Sequence, residues 1–160
     1  MSEIMLSSEQ VERLHKYASE FKEWLKTPKG ESEYKEHRDH EAYFKENLSP
    51  KNTHKMTEDE FREIYKTLWV SSFWGNKDWY FDNRLIAPNG LFKIKMELSK
   101  LLYGSEDFTT RYDEFRSNVK GFGPSSLTEI LHFIFPDKYC LWNDKPKTVI
   151  PFLGLDILPE

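Results

Sequence analysis

Residues 119–131 contain the residue types and spacing best suited to binding an anion. Gly121 and Gly123 flank one apolar residue, so the chain can turn tightly there and another group can approach the backbone closely. Pro124 suits the first turn of a following helix, whose first N–H groups lack intrahelical partners and lie at the positive end of the helix dipole. Lys120 adds a positive charge beside them. We therefore predict an anion site here, most usefully for a DNA phosphate.

Three more side chains belong to this predicted site. Phe122, between the two glycines, is expected to fill the gap between two helices. Ser125 and Ser126 fall in the first turn of the second helix, and Ser126 with Glu129 matches a capping box. A plain helical hairpin also needs glycine to turn, so the segment alone leaves both a DNA contact and a purely structural turn open.

Aromatic residues supply a second set of candidates. Trp74 and Trp79 flank a short polar stretch and would offer a surface on which an extruded base stacks. Trp142 is followed by Asn143, whose amide can hydrogen-bond a base edge. Both pairs also fit an ordinary role, in which the rings close a helical core and the amide fixes a loop.

The same sequence excludes several kinds of chemistry. Cys140 is the only cysteine, which excludes a disulfide framework and a multi-cysteine zinc site, and its neighbours predict a buried thiol. No catalytic triad can be assembled from one cysteine and scattered histidines, and no G-x-x-x-x-G-K-[ST] phosphate loop is present. We predict no catalytic residue, no metal site and no cofactor.

The elements that must position these residues are helices. Apolar residues recur at intervals of three and four through most of the chain, whereas alternation of period two never lasts beyond a few residues. The pattern predicts an all-α fold, a single helical domain of about seven or eight helices. The first helix carries an apolar stripe formed by Val11, Leu14, Ala18, Phe21 and Leu25. Capping residues predict helix starts at Ser7, Thr57, Asp107 and Asp144.

The polar heptapeptide SPKNTHK, residues 49–55, is the predicted internal boundary. It separates an acidic N-terminal helical segment, 1–55, from a helical DNA-binding region, 56–160. Both are expected to form one compact domain.

The net charge limits how such a protein can bind DNA. The 160 residues carry a net charge of −4, and residues 1–60, with ten Lys or Arg and fourteen Asp or Glu, account for all of it. Wrapping nucleic acid by bulk electrostatics needs a strongly basic protein, so only contact with a few phosphates fits. Without a membrane-length apolar run or a signal-peptide pattern, a cytoplasmic protein without membrane contact is expected. The apolar end FLGLDILPE is expected to continue into a longer protein.

Residues 119–131 resemble the helix-hairpin-helix motif of DNA glycosylases and many other DNA-binding proteins. In the glycosylases a lysine follows the second glycine by two positions, and an aspartate lies further along the chain. Here Ser125 and Asn143 occupy those two positions. Serine supplies no Schiff-base nucleophile and asparagine cannot act as a general base, so the resemblance implies DNA binding without base-excision chemistry.

A second resemblance covers residues 125–155 closely and residues 57–154 loosely. This region is similar to a block in the N-terminal regions of McrB-like AAA+ restriction GTPases. The matching elements are Thr128-Glu129-Ile130-Leu131, Pro136 to Tyr139, Leu141-Trp142-Asn143 and Leu153-Gly154. The resemblance implies recognition of DNA, often modified DNA, ahead of an AAA+ GTPase motor that works with a nuclease subunit.

Together these features predict a non-catalytic DNA-binding specificity module. A glycosylase-like repair enzyme on the same scaffold is one alternative, and a protein-interaction domain that uses the acidic residues 1–50 is another. The predicted DNA contacts are Lys120, Gly121, Phe122, Gly123, Ser125, Ser126, Trp142, Asn143, Trp74 and Trp79.

Overall fold

The computed structural model describes residues 6–155, and every regular element in this range is helical. The nine helices are α1 (Ser8–Trp24), α2 (Pro28–Asn47), α3 (Pro50–Lys55), α4 (Glu58–Thr67), α5 (residues 77–89), α6 (Leu91–Tyr103), α7 (Phe108–Asn118), α8 (Pro124–Ile134) and α9 (Asp144–Phe152). A 3₁₀ helix, Trp69–Phe73, lies between α4 and α5. The all-α expectation is confirmed. Among these described helices, none combines the length and apolarity needed to cross a bilayer.

The helix missing from the predicted set is α3, which occupies the segment predicted as a polar connector. The Ser49 side chain caps it by accepting a hydrogen bond from the Asn52 N–H, and Pro50 takes its first position. Thr53 is buried, and its hydroxyl donates to the Leu48 carbonyl at 3.0 Å. A short, capped helix has the same polar composition as a loop, which is why the sequence pattern did not separate the two.

Helix starts follow the predicted capping chemistry at three positions. Ser7 forms a capping box with Gln10, and Thr57 forms one with Glu60. The Asp107 carboxylate accepts from the Thr110 N–H at 3.1 Å. These contacts join residues three positions apart, so the local sequence is enough to specify them.

The chain divides into two compact units. Unit 1 consists of Met1–His40 and Trp142–Glu160, of which residues 6–40 and 142–155 are described, and unit 2 consists of Glu41–Leu141. The predicted division at residue 55 stays a prediction. Part of the predicted continuing end, residues 156–160, lies outside the described residues.

Unit 2 contains an aromatic core. The side chains of Phe44 and Phe133 stack with ring centroids 5.3 Å apart, and the ring of Trp69 meets Phe133 edge-on at 5.0 Å. The largest fully buried side chains are Tyr65, Phe44, Phe61, Phe81, Phe115 and Phe133. Burial of such large rings is a major source of folding free energy, so the high aromatic content of the sequence serves this core.

Unit 1 is organised differently. In α1, Gln10 donates to the Gly154 carbonyl at 2.5 Å, and the Tyr17 ring lies 5.3 Å from that of Phe152. No residue of α1 is buried among the described residues: Val11 is 37% exposed and Phe21 is 56% exposed. The apolar stripe therefore marks a helix, as predicted, but that stripe is not part of a core.

Candidate nucleic-acid interface

The predicted anion-binding segment forms the connection between α7 and α8. Val119 follows α7 in an extended conformation, and residues 120–123, here called the glycine loop, lead to Pro124 at the first position of α8. Pro124 therefore lies in the first turn of the helix, as predicted.

Gly121 is required by the fold of this loop. Its φ of 89° lies in the left-handed region, which L side chains rarely adopt. A Cβ atom added to Gly121 would lie 2.7 Å from Cδ2 of Leu85 and closer still to the carbonyl oxygen of Arg84. The glycine therefore permits the loop to pack directly against the backbone of α5.

Two side chains of α5 also fix the backbone of the glycine loop. The Tyr80 hydroxyl donates to the Gly121 carbonyl at 2.9 Å. The Asn89 amide donates to the Lys120 carbonyl at 2.8 Å and accepts from the Lys120 N–H at 2.9 Å. Partial burial raises the pKa of the Tyr80 hydroxyl, so it remains a donor through the neutral pH range. The backbone of the loop is thereby held in one conformation.

Phe122 anchors the loop in the core. Its side chain is only 7% exposed, and its ring centroid lies 5.4 Å from that of Phe115 and 5.9 Å from that of Tyr65. Burial among these rings also raises the pKa of Tyr65. Phe122 therefore packs against residues of α7 and α4, and its ring is not accessible to DNA. Its expected place between the two helices that the loop joins stays a prediction.

Gly123 differs from Gly121 in its surroundings. It is exposed, its φ of −90° is open to any residue, and a Cβ atom added to it would meet nothing within 4 Å. The fold therefore does not require glycine at this position. Space remains in front of the backbone, at the N-terminus of α8.

The first turn of α8 presents backbone donors. Leu127 makes the first hydrogen bond of this turn, from its N–H to the Gly123 carbonyl at 3.1 Å, so the N–H groups of Ser125 and Ser126 lack partners within the helix. The Ser125 side chain is half-buried, whereas Ser126 is buried and its hydroxyl donates to the Gly123 carbonyl at 3.0 Å. The Ser126 side chain is therefore not available to a ligand.

The predicted capping box between Ser126 and Glu129 is wrong. Gly123 is the N-cap residue of α8, and the buried Glu129 carboxylate instead accepts from the N–H groups of Trp69 at 2.5 Å and Val70 at 3.1 Å. These N–H groups begin the 3₁₀ helix and have no acceptor within it, so Glu129 supplies one.

The two candidate tryptophans of unit 2 have different environments. Trp74 is half-buried, and its indole N–H donates to the Val70 carbonyl at 2.8 Å. Its ring centroid lies 3.5 Å from that of Tyr80. Trp79 is 52% exposed, and the guanidinium of Arg84 lies 5.8 Å from its ring centroid. Trp79 is therefore available to a ligand, whereas Trp74 packs against the ring of Tyr80.

Trp142 and Asn143 belong to unit 1, whereas the glycine loop belongs to unit 2. Trp142 is half-buried. The Asn143 side-chain oxygen accepts from the Lys145 N–H at 2.9 Å and so caps α9. The sequence predicted Asp144 as this cap, which is wrong: its carboxylate is exposed and lies 3.7 Å from the Lys147 ammonium.

Cys140 is exposed, which corrects the expectation of a buried thiol.

Three residues outside the predicted site also shape it. Tyr80 and Asn89 hold the glycine loop, and Arg84 lies beside it on the same helix. No local motif marks them, because their partners are 41 and 31 positions away in the chain.

Within the described residues, no three His, Cys, Asp or Glu side chains gather in a way that could hold a metal ion. No family model, curated protein or solved structure gives a significant match to the chain.

Proposed function

We propose that the protein is a non-catalytic DNA-binding module that holds a backbone phosphate at the N-terminus of α8. The N–H groups of Ser125 and Ser126 and the positive end of the helix dipole attract the phosphate, and Lys120 adds a charge. Such a contact carries no base information, so it positions the module on DNA and leaves sequence or modification to other residues.

The open space at Gly123 is the observation that carries this proposal. Gly121 has a structural reason to be glycine, but Gly123 has none within the fold. A ligand that must approach the backbone closely supplies such a reason, because any side chain at this position would stand between the ligand and the N–H groups.

The absence of catalysis is part of the same proposal. Ser125 cannot form a Schiff base, and Asn143 is engaged as a helix cap. Asp144, the next residue after Asn143, is exposed, and its carboxylate lies 3.7 Å from the Lys147 ammonium. A duplex with damaged or methylated bases should therefore keep its bases. Time-dependent release of a free base by the purified protein, abolished in Asp144→Asn, would instead support a glycosylase.

The finer part of the proposal follows the resemblance to McrB-like restriction GTPases. The module would recognise modified DNA for a downstream AAA+ motor and its nuclease subunit. Trp79 is the candidate in unit 2 with an exposed ring on which a base can stack, and Trp142 and Asn143 are candidates in unit 1. Substitution of a base-contacting residue should change the preference among modified duplexes, whereas loss of a phosphate contact should weaken all of them equally.

Salt dependence of DNA binding tests the proposal. We expect the affinity for a short duplex to fall as salt rises, and Lys120→Ala to reduce the slope of log affinity against log salt by about one. Lys51→Ala is the matched control, because Lys51 is exposed on α3 and outside the glycine loop. A parent protein without measurable affinity for any duplex at low salt would refute the proposal.

One observation favours the protein-interaction alternative. The apolar stripe of α1 is exposed at Val11 and Phe21, and exposed apolar helix faces are typical of protein contacts. A mainly apolar partner contact should respond little to salt. A loss of partner binding in Phe21→Ser, with DNA affinity unchanged, would assign that face to a partner.

A further inference from the structure

A cleft lies between α5 and the glycine loop in unit 2. Its volume is about 420 Å³. The residues that line it are Tyr80, Asn83, Arg84, Pro88, Lys120 and Gly121. Four of these come from α5 and two from the loop, so the cleft exists only because Gly121 lets the two segments approach each other.

The cleft is positively charged, although the chain as a whole carries −4. Arg84 and Lys120 are exposed, and within the described part of the chain neither pairs with a carboxylate. The two acidic residues of α5 are engaged elsewhere: Asp78 and Asp82 lie 3.4 and 2.6 Å from the guanidinium of Arg62. The lining thus has two cations and no carboxylate to neutralise them.

Several contacts orient the residues that line the cleft. The middle of α5, Phe81–Ile86, is a π-helix, a geometry that occurs frequently at functional sites, and it contains Arg84. The Trp79 ring lies within cation–π range of the Arg84 guanidinium, and the Asn89 side chain fixes the backbone of Lys120. A site organised in this way loses little entropy when it binds an anion.

We propose that this cleft binds one phosphate group through Arg84 and Lys120, in addition to the phosphate at the N-terminus of α8, so that the two phosphates share the charge of Lys120. Arg84 offers a planar pair of donors and Lys120 a point charge, which together suit a phosphate oxyanion. A second backbone phosphate of DNA is the source that follows from the proposed function, on which this part of the inference rests. A free phosphate monoester has the same chemistry.

The DNA arm of the test uses Arg84→Gln, Lys120→Gln and the double variant, with duplex affinity measured by fluorescence anisotropy at several salt concentrations. Each single variant should weaken binding about tenfold or more, as expected for a lost charge-assisted hydrogen bond. The double variant should lose less than the product of the two, because both residues hold the same phosphate. Lys51→Gln, the matched control, should stay within about twofold of the parent.

The phosphate arm follows the Gly121 amide by NMR while inorganic phosphate, or a nucleoside monophosphate, is added at constant ionic strength. A saturable shift in the parent that disappears in Arg84→Gln supports the cleft; if DNA affinity is then unaffected by Arg84→Gln, the source is free phosphate. Absence of both the DNA effect and the shift overturns the proposal, and losses that multiply in the double variant overturn the shared phosphate. If the parent does not bind DNA, the proposed function fails, and the phosphate titration alone decides the cleft.

Discussion

The two halves of the glycine loop are constrained differently by the fold. In one half, Gly121 has a positive φ and no room for a side chain, and Phe122 is buried in the aromatic core. In the other half, Gly123 has an ordinary φ and open space, and α8 begins directly after it. The first half is determined by folding. The second half is free of that demand, and a ligand would explain its composition.

This contrast separates residues that a motif treats as equivalent. A sequence pattern with two glycines around an apolar residue suggests that both glycines serve the turn. The contacts show that only Gly121 does, because only its position combines left-handed backbone with a close neighbour. Substitutions at the two glycines should therefore affect different measurements, stability for one and DNA affinity for the other.

The largest effect is expected from Gly121→Ala. A left-handed backbone costs a side chain about 1–2 kcal/mol, and overpacking against Leu85 and the Arg84 carbonyl adds about 1–3 kcal/mol. We expect the free energy of unfolding, measured by urea denaturation, to fall by about 2–4 kcal/mol. Gly75→Ala is the matched control, because Gly75 has open space around it and no positive φ. Equal stabilities for the two variants would show that the fold does not require glycine at position 121.

Glu129 tests how strongly the middle of α8 stabilises the start of the 3₁₀ helix. Glu129→Ala leaves the N–H groups of Trp69 and Val70 without their acceptor, so the free energy of unfolding should fall by about 1–3 kcal/mol. Glu129→Gln keeps one acceptor oxygen and should lose less. Thermal and urea unfolding of both variants measure the difference. A glutamine variant as unstable as the alanine variant would mean that the charge, and not the hydrogen bonds, matters.

Tyr80 gives a smaller, pH-dependent effect on the same half of the loop. Tyr80→Phe removes the hydrogen bond to the Gly121 carbonyl and should cost about 0.5–1.5 kcal/mol at neutral pH. Because burial raises the folded-state pKa above the ordinary value of about 10, the contribution of Tyr80 to stability is complete below pH 10 and is lost as pH rises through the raised pKa. The unfolding free energies of parent and variant should therefore differ at pH 7 and converge as the pH rises above 10. If the difference in unfolding free energy between parent and variant stays constant as the pH rises, ionisation of the Tyr80 hydroxyl does not affect stability.

Local signals in the sequence predicted much of this architecture. Helix starts at Ser7, Thr57 and Asp107 could be predicted because each cap joins residues three positions apart. The glycine loop and the position of Pro124 could be predicted because glycine and proline have specific local backbone preferences.

Contacts between distant residues were not predictable in this way. Glu129 fits a capping box by spacing, yet its carboxylate binds backbone groups 59 and 60 positions away. The α1 stripe has the period of a buried face but is exposed at Val11 and Phe21, and Cys140 is exposed despite apolar neighbours. Period and neighbours specify a helix face, whereas burial depends on which elements fold against it.

The most direct test of the account is the DNA affinity of Gly123→Ala, measured beside its stability. Alanine fits the backbone and the space at this position, so the unfolding free energy should change by less than about 1 kcal/mol, since the weaker cap and the reduced unfolded-state entropy oppose each other. Duplex affinity should nevertheless fall by about 1–3 kcal/mol, because the methyl group stands between the phosphate and the N–H groups of α8. A folded Gly123→Ala protein that binds DNA as tightly as the parent would show that the loop is only a turn.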